Sequence, residues 1–307
     1  MLRLVLLLVL PALGSLNLLS QPTVVAVVNS ASFQSGLPAG GALATVYVSG
    51  LTALTTGIYI APSSQPLPHT LGGVTVTVDN DFAPLLAVIV PSDASGYVQV
   101  NLQVPLSANA SLLSGSAYAG NLIVTDGVNN AVRNETGNVP QWGGFFSGAN
   151  GYAIARHASD STLVTPQNPA HRGGSIIAYA DDFFLTWPRP PIAIPTPPQV
   201  PYQPDYSLRA SPGNLYLQTY PNPVITCAPI PGLCNGGTPD TPALTINSVS
   251  LAVGSVGVEE VNFVIPSNQP AGTFALFFNG CANSGAIPGG CGGISGDSSP
   301  YVMLPVN

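Results

Sequence analysis

Lysine is absent from this sequence, and charged residues of every kind are scarce. Asp, Glu, Lys and Arg together make up 6% of the 307 residues, against roughly a quarter in typical soluble proteins. All six basic residues are arginines, and the formal net charge is -7. Nucleic acids and anionic lipid surfaces favour clusters of Lys and Arg, so this balance argues against both as partners.

The shortage of charge also leaves strand edges with few charged side chains to oppose pairing with another chain. Lysine on an edge strand is one of the commonest devices that stop an edge from pairing with another chain. Two explanations stand side by side: an ordinary exported protein from a proteome poor in lysine, and a surface adapted to assembly. Hydrophobic residues make up 46% of the chain, which indicates a folded protein.

Catalytic motifs are missing as well. Ser298 lies in a segment superficially like the nucleophile region of trypsin-like proteases, but the glycine expected after the serine is lacking. None of His69, His157 and His171 lies in a matching histidine motif. On a strand, Arg156 and His157 would point to opposite faces and would not converge on one substrate atom. The sequence therefore predicts a non-enzymatic protein without catalytic or cofactor-binding residues.

The first residues have the layout of an export signal. A positive start at Arg3 is followed by an apolar run and then by small residues that could form a cleavage site. We assign residues 1–20 to a signal peptide and expect no membrane span after its removal. The expected location is outside the cell, either secreted or at the cell surface.

The most informative stretch is 72–105, where hydrophobic and polar residues alternate with period two. Turn residues divide it into three strands, which we interpret as a meander. Val76, Val100, Leu102 and Val104 are expected to point inward, and Thr75, Gln99 and Gln103 outward. The segment 100–105, VNLQVP, is echoed by VNFVIP at 261–266, which suggests two copies of one unit.

Similar short strands recur along the whole chain, separated by Gly, Pro and Asn, with no helical periodicity. This pattern predicts an all-β protein with two antiparallel, immunoglobulin-like β-sandwich domains in tandem. The first domain is expected at 21–136, a linker at 137–148, and the second domain at 149–307. A proline-rich insertion at 188–204 interrupts the second domain, because eight of its seventeen residues are proline.

Four cysteines lie in the last third of the chain: Cys227, Cys234, Cys281 and Cys291. In an exported protein an even number of cysteines indicates disulfides. Local pairing would join Cys227 to Cys234 and Cys281 to Cys291, although the spacing leaves other pairings open. A zinc site is the competing interpretation, but the spacings are not those of a zinc finger.

Two further groups of residues are candidate ligand sites. Asp79-Asn80-Asp81 and Asp181-Asp182 could supply oxygen ligands for calcium, but Asp and Asn are also the commonest turn formers. We therefore expect no metal or cofactor and keep calcium as the alternative. A cluster of tyrosines beside the proline run is the candidate platform for a glycan: Tyr202, Tyr206, Tyr216 and Tyr220.

Several short motifs occur in the order typical of one family. They include VNSASF at 28–33, LPHTLGGV at 67–74, APLL at 83–86, VNLQVP at 100–105 and GYAIARH at 151–157. In these motifs the chain resembles the uncharacterised Solibacter-type C-terminal domain of acidobacterial exported proteins. The resemblance covers most of the chain after residue 20 and implies export and immunoglobulin-like sandwiches, with no known activity.

Together these observations predict an exported structural or adhesive protein of the cell surface or an extracellular assembly. Its expected partners are copies of itself or other cell-surface components, joined through strand edges, with filaments as one form that such an assembly could take. The candidate strand for self-association carries Val24, Val25, Val27 and Val28, which could complete its own sandwich or be donated to a neighbour. The alternative function is an extracellular glycan-binding module.

Overall fold

A computed structural model describes most of the chain between residues 21 and 307. The described residues are 21–38, 40–62, 66–93, 96–106, 118–137, 143–181, 186–187, 192–193, 195, 203–204, 214–219, 225–226, 238–239, 244–279 and 301–307. Their regular structure is nearly all strand. This confirms the predicted all-β class, with several antiparallel sheets.

The first part of the chain forms short strands rich in Val, Ile and Thr, whose branched side chains favour the extended backbone. In chain order they are Thr23–Asn29 (β1), Leu43–Ser49 (β2), Gly57–Ile60 (β3), Thr70–Leu71 (β4), Val74–Val78 (β5), Asp81–Phe82 (β6), Leu85–Val90 (β7), Val98–Gln103 (β8), Tyr118–Thr125 (β9) and Asn130–Gly137 (β10).

The later strands are of the same kind. They are Gly144–Phe145 (β11), Ala155–His157 (β12), Ser175–Asp181 (β13), Thr186–Trp187 (β14), Gln203–Pro204 (β15), Asn214–Thr219 (β16), Ile225–Thr226 (β17), Thr238–Pro239 (β18), Thr245–Leu251 (β19), Glu259–Val264 (β20), Gly272–Asn279 (β21) and Val302–Val306 (β22).

Strands β1 to β10 form two sheets around one hydrophobic core. The first sheet has the order β1-β2-β8-β7-β3, and we call it the front sheet; the second has the order β10-β9-β5-β4, with β6 also paired to β5. Val46 and Val100 from the front sheet and Val76 and Val124 from the second sheet are fully buried in the shared core. This is a β-sandwich, as the alternating pattern predicts.

The predicted three-strand meander is wrong in one respect. Strands β7 and β8 pair with each other in the front sheet, but β5 belongs to the second sheet. Asp79 and Asn80 both have positive φ, at 51° and 71°, and form a two-residue turn that folds β6 back onto β5. Ala83 and Pro84 then carry the chain across to the front sheet.

A second core lies further along the chain. Its sheet has the order β11-β13-β20-β19, with β12 paired to β13, and a second sheet of β16-β21-β22 supplies Leu276 and Leu304 to the same core. Strand β11 lies inside the segment that we expected to be a linker, and Phe145 is part of this second core. Among the described residues, no helix has the length and apolar character needed to cross a membrane.

The two similar segments, 100–105 and 261–266, have equivalent places in the structure. Strand β8 lies between β2 and β7, and β20 lies between β13 and β19, so each copy is in an interior strand. Val100 and Leu102 in the first copy, and Val261 and Phe263 in the second, are fully buried. The repeated motif is therefore an inward-facing strand in each core, with a partly exposed asparagine between its buried residues.

Gln103 was expected to face outward, and it does lie on the outward side of β8, but it is buried there. Its exposed fraction is 0%. Its Nε2 donates to Gly41 O at 3.0 Å, and its Oε1 accepts from Ala193 N at 2.9 Å. Ala193 covers this end of the front sheet, so a side chain on the outward side of β8 is buried and satisfied by hydrogen bonds.

A buried carboxylate joins the first core region to the second. Asp181, at the end of β13, has an exposed fraction of 0%. Its Oδ2 accepts from Asn29 Nδ2 at 3.0 Å, and its Oδ1 accepts from Leu43 N at 3.0 Å. Asn29 Oδ1 in turn accepts from Ala31 N and Ser32 N. The carboxylate therefore satisfies donors at the start of β2 and the end of β1.

We predict that Asp181→Asn lowers the free energy of unfolding by about 1–3 kcal/mol. Leu43 N lies 3.0 and 3.2 Å from the two carboxylate oxygens, so the new amide NH2 would face that N–H whichever oxygen it replaces. Asp160→Asn is the matched control, since the exposed Asp160 accepts from Thr162 through one oxygen that an asparagine retains. Denaturant unfolding measures both variants. Equal, small effects would contradict a stabilising role for the buried carboxylate.

Candidate functional site

The outer face of the front sheet carries two rows of residues that run across all five strands. The register aligns one member of each row on every strand. The first row is Ala26, Tyr47, Gln99, Ile89 and Ile58, and the second is Val28, Thr45, Asn101, Ala87 and Ile60. We call these ten residues the outer face. None of them is charged.

Hydrogen bonds between neutral side chains hold the middle of the outer face. Asn101 Oδ1 accepts from Gln99 Nε2 at 3.0 Å and from Thr45 Oγ1 at 3.2 Å. Thr45 Oγ1 also lies 3.0 Å from Ser30 Oγ. Cross-strand pairs of this kind stabilise a sheet locally. They leave Tyr47 half-buried beside a group of fixed amides.

One side of the outer face ends in exposed isoleucines. Ile58 and Ile60 are 70% and 72% exposed, while Tyr59 between them points the other way and packs against the core. Gly72, with a φ of 57°, leaves room for that ring, because an added Cβ would lie 2.5 Å from Tyr59 Cδ2. Packing of Tyr59 against the core therefore holds β3 in place, while the side chains of Ile58 and Ile60 are exposed.

Asp126 holds the segment that leads into β3. Its Oδ2 accepts from Ala53 N at 3.0 Å, and its Oδ1 accepts from Val128 N at 3.0 Å and Asn129 N at 2.6 Å. Burial raises the pKa of this carboxyl, but hydrogen bonds from Asn129, Ala53 and Val128 outweigh it, and the pKa falls to about 2 from its usual 3.8.

The candidate self-association strand lies in β1, at the opposite side of the front sheet from β3. Val24 and Val27 are buried, Val28 is half-buried, and Val25 is 42% exposed. Strand β1 pairs with β2 of the same chain over Thr23–Asn29. Here the strand completes its own sheet.

Most of the other candidate sites lie outside the described residues. This holds for Cys227, Cys234, Cys281 and Cys291, and for Tyr202, Tyr206 and Tyr220. Tyr216 lies in β16, but its side chain is not among those described. The disulfides and the tyrosine platform stay predictions.

Arg156 and His157 do point to opposite faces of β12, as expected. Arg156 Nη2 donates to Glu260 Oε1 at 2.9 Å, whereas His157 is 5% exposed. The structure also brings together two histidines that are distant in sequence, since the His157 and His171 ring centroids lie 5.0 Å apart. His171 Nδ1 lies 2.8 Å from Asn307 Oδ1, so the pair is anchored to the end of the chain.

One aspartate of each acidic cluster accepts hydrogen bonds from the protein. Asp79 Oδ1 accepts from Asn121 N at 2.8 Å within the turn before β6, and Asp181 binds Asn29 and Leu43. Asp182 lies outside the described residues. Within the described ranges, no group of three or more His, Cys, Asp or Glu side chains is placed to hold a metal ion.

Comparison with known proteins gives weak likenesses. No protein-family model matches the chain, and no curated protein matches it. A variant of an endo-fucoidan hydrolase from glycoside hydrolase family 107 is 14% identical over 76% of this chain and 23% of that chain, with a TM-score of 0.18.

The SGBP-B protein of the Bacteroides ovatus mixed-linkage glucan utilization locus, solved with a mixed-linkage heptasaccharide, is 10% identical, with a TM-score of 0.24. That comparison covers 94% of this chain and 60% of the other. The chain therefore spans less than two thirds of either neighbour. At these TM-scores neither likeness bears on the function of this chain.

Sequence reasoning missed the outer face as a site. Alternation predicts that Gln99 faces outward, and Asn101 shares that periodicity. It does not say which residue of a distant strand lies beside them, because register depends on the pairing of the whole sheet. The missing signal was the lack of charge on outward positions of several strands at once.

We predict that Asp126→Asn changes how stability depends on pH. The folded pKa lies below the unfolded value, so the carboxylate stabilises the wild type fully above pH 5 and loses this effect as pH falls through 4 towards 2. The difference in unfolding free energy between wild type and variant should shrink by about 2 kcal/mol over that range. A difference that does not change with pH would contradict this.

Proposed function

We propose that the chain is an exported, non-enzymatic structural or adhesive protein that associates with copies of itself or with other cell-surface components. The observation that carries the proposal is the outer face, whose ten residues span five strands without one charged side chain. Surfaces that keep a protein monomeric usually intersperse charges of both signs. This one offers neutral amides, a tyrosine and exposed isoleucines.

The contacts of the ionisable side chains support a structural role. Arg156 pairs with Glu260, and Asp181 is fully buried against Asn29 and Leu43. Asp126 accepts backbone hydrogen bonds that hold a loop. In each case the group stabilises the fold. The resemblance to acidobacterial exported proteins supports a location outside the cell.

We predict that the purified protein associates reversibly. Sedimentation velocity over two orders of magnitude in concentration should show the mean mass rising above that of a monomer, because a neutral, partly apolar face opposes association weakly. Added salt should leave this association unchanged or strengthen it, since it does not depend on ion pairs. A protein that stays monomeric throughout would contradict the proposal.

A second candidate function is the binding of a neutral glycan on the outer face. Tyr47 offers an aromatic surface, and Gln99 and Asn101 offer amides that are already fixed by hydrogen bonds. Neutral sugars are bound by such combinations of a ring and planar polar groups. The net charge of -7 adds that a neutral ligand suits this protein better than an acidic one.

We predict for this candidate that Tyr47→Ala weakens retention of the protein on immobilised mixed-linkage glucan. The matched control is Tyr301→Ala, because Tyr301 is 45% exposed but lies outside the outer face. Affinity electrophoresis with and without the glucan gives the comparison. Equal mobility of the wild type with and without glucan would exclude binding of this glycan.

A further inference from the structure

Strand β3 has an open hydrogen-bonding edge. It ends the front sheet, with β7 on its inner side. Ala61 N donates to Leu86 O at 2.9 Å. Every second residue of an antiparallel strand bonds to the same neighbour, so this bond shows which β3 residues face β7. Gly57 and Tyr59 therefore direct their backbone groups to β7, whereas Ile58 and Ile60 direct theirs outward. Within the described part of the chain, no hydrogen bond reaches that outward side.

The edge is apolar as well as open. The side chains of Ile58 and Ile60 are 70% and 72% exposed, and their cross-strand neighbours are Ile89 and Ala87. The surrounding sequence adds no charged residue, because no Asp, Glu, Lys or Arg occurs between Arg3 and Asp79, and the nearest proline, Pro62, lies beyond the two outward residues. Natural proteins usually blunt such an edge with charge, proline or a bulge.

The other side of the front sheet is closed. Arg133 Nη1 donates to Val25 O at 3.2 Å, and Gly36 N donates to Val27 O at 2.7 Å. Asn29 N also donates to Gln34 O at 3.0 Å. The outward groups of β1 are thus occupied within the chain, so β1 is a poor edge for a second molecule.

Two later edge strands, β22 and β19, offer weaker edges. Strand β22 is covered, because Ala153 N donates to Met303 O at 2.8 Å and Ala170 N donates to Pro305 O at 2.9 Å. Strand β19 has a register irregularity between Ile246 and Ser248, where its side chains are mostly polar. A bulge and a polar edge both oppose pairing.

We propose that β3 pairs antiparallel with β3 of a second copy of this chain. This inference rests on the proposed self-association and names its surface. A twofold axis at Tyr59 would place Ile58 opposite Ile60 of the partner subunit, and both outward residues would exchange backbone hydrogen bonds in each direction. The two front sheets would become one continuous ten-stranded sheet.

A second copy is favoured over a different protein by charge and symmetry. Like charges on an edge oppose pairing with an identical edge, and this edge has none. The outward residues lie symmetrically about Tyr59, so the edge is complementary to itself. An isologous contact of this kind closes into a dimer instead of extending into a filament.

The test introduces a lysine at an exposed position on each of two strands. Ile58→Lys adds a charge near the twofold axis in both copies, and we expect it to weaken the dimer at least about tenfold in sedimentation equilibrium. Val132→Lys is the matched control, because Val132 is 56% exposed on β10 of the second sheet. It should leave the dimer unchanged. Circular dichroism checks that both variants fold.

A second variant tests the contribution of the backbone hydrogen bonds to the dimer. Ile60→Pro removes an N–H that points outward and should also weaken the dimer while leaving the bonds to β7. If the wild type associates and both β3 variants associate equally well, the assignment to β3 is overturned and the proposed function stands. If the wild type remains monomeric, both are overturned.

Discussion

The antiparallel register of the front sheet determines both its buried face and its outer face. Because side chains alternate between faces except at the irregularities in β1 and β7, the cross-strand pairs determine the face on which each residue of the five strands lies. That register sends Val46, Val100 and Leu102 into the core. It also aligns Tyr47, Gln99 and Asn101 with their neighbours on the outer face. A shift of one residue in any strand would exchange the two sets.

Several of the charged residues that the structure describes stabilise the fold. Asp181 joins the first core region to the second, Asp126 holds the approach to β3, and Arg133 closes the edge of β1. Groups that are committed in this way contribute little to keeping separate molecules apart. The long neutral segment before Asp79 includes β1, β2 and β3, so the front sheet presents hydrogen-bonding and apolar groups where most proteins place charges.

Much of the local structure could be predicted from the sequence. The alternation in β5 and β8 identifies strands and their buried residues, and the echo between β8 and β20 identifies equivalent interior strands. These features depend on neighbours along the chain. The sheet to which β5 belongs could not be predicted from neighbours along the chain, because the turn at Asp79 and Asn80 fits both a meander and a crossing between sheets.

The remaining differences have the same origin in contacts between distant residues. Gln103 is buried because Ala193, ninety residues later, covers it. The open edge lies at β3 and not at β1, because Arg133 and the turn after β1 occupy the outward groups of β1. Composition predicts that at least one strand edge lacks charged side chains that would oppose pairing with another chain. Which edge it is depends on the pairing of the whole sheet.

Hydrogen exchange of the β3 amides as a function of protein concentration tests whether two copies pair through β3. The Ile58 and Ile60 amides point outward and should exchange quickly in dilute protein, then become protected as concentration rises. The Tyr59 amide, directed to β7, should stay protected throughout and serves as the internal reference. Rapid exchange at Ile58 and Ile60 at every concentration would contradict pairing through β3.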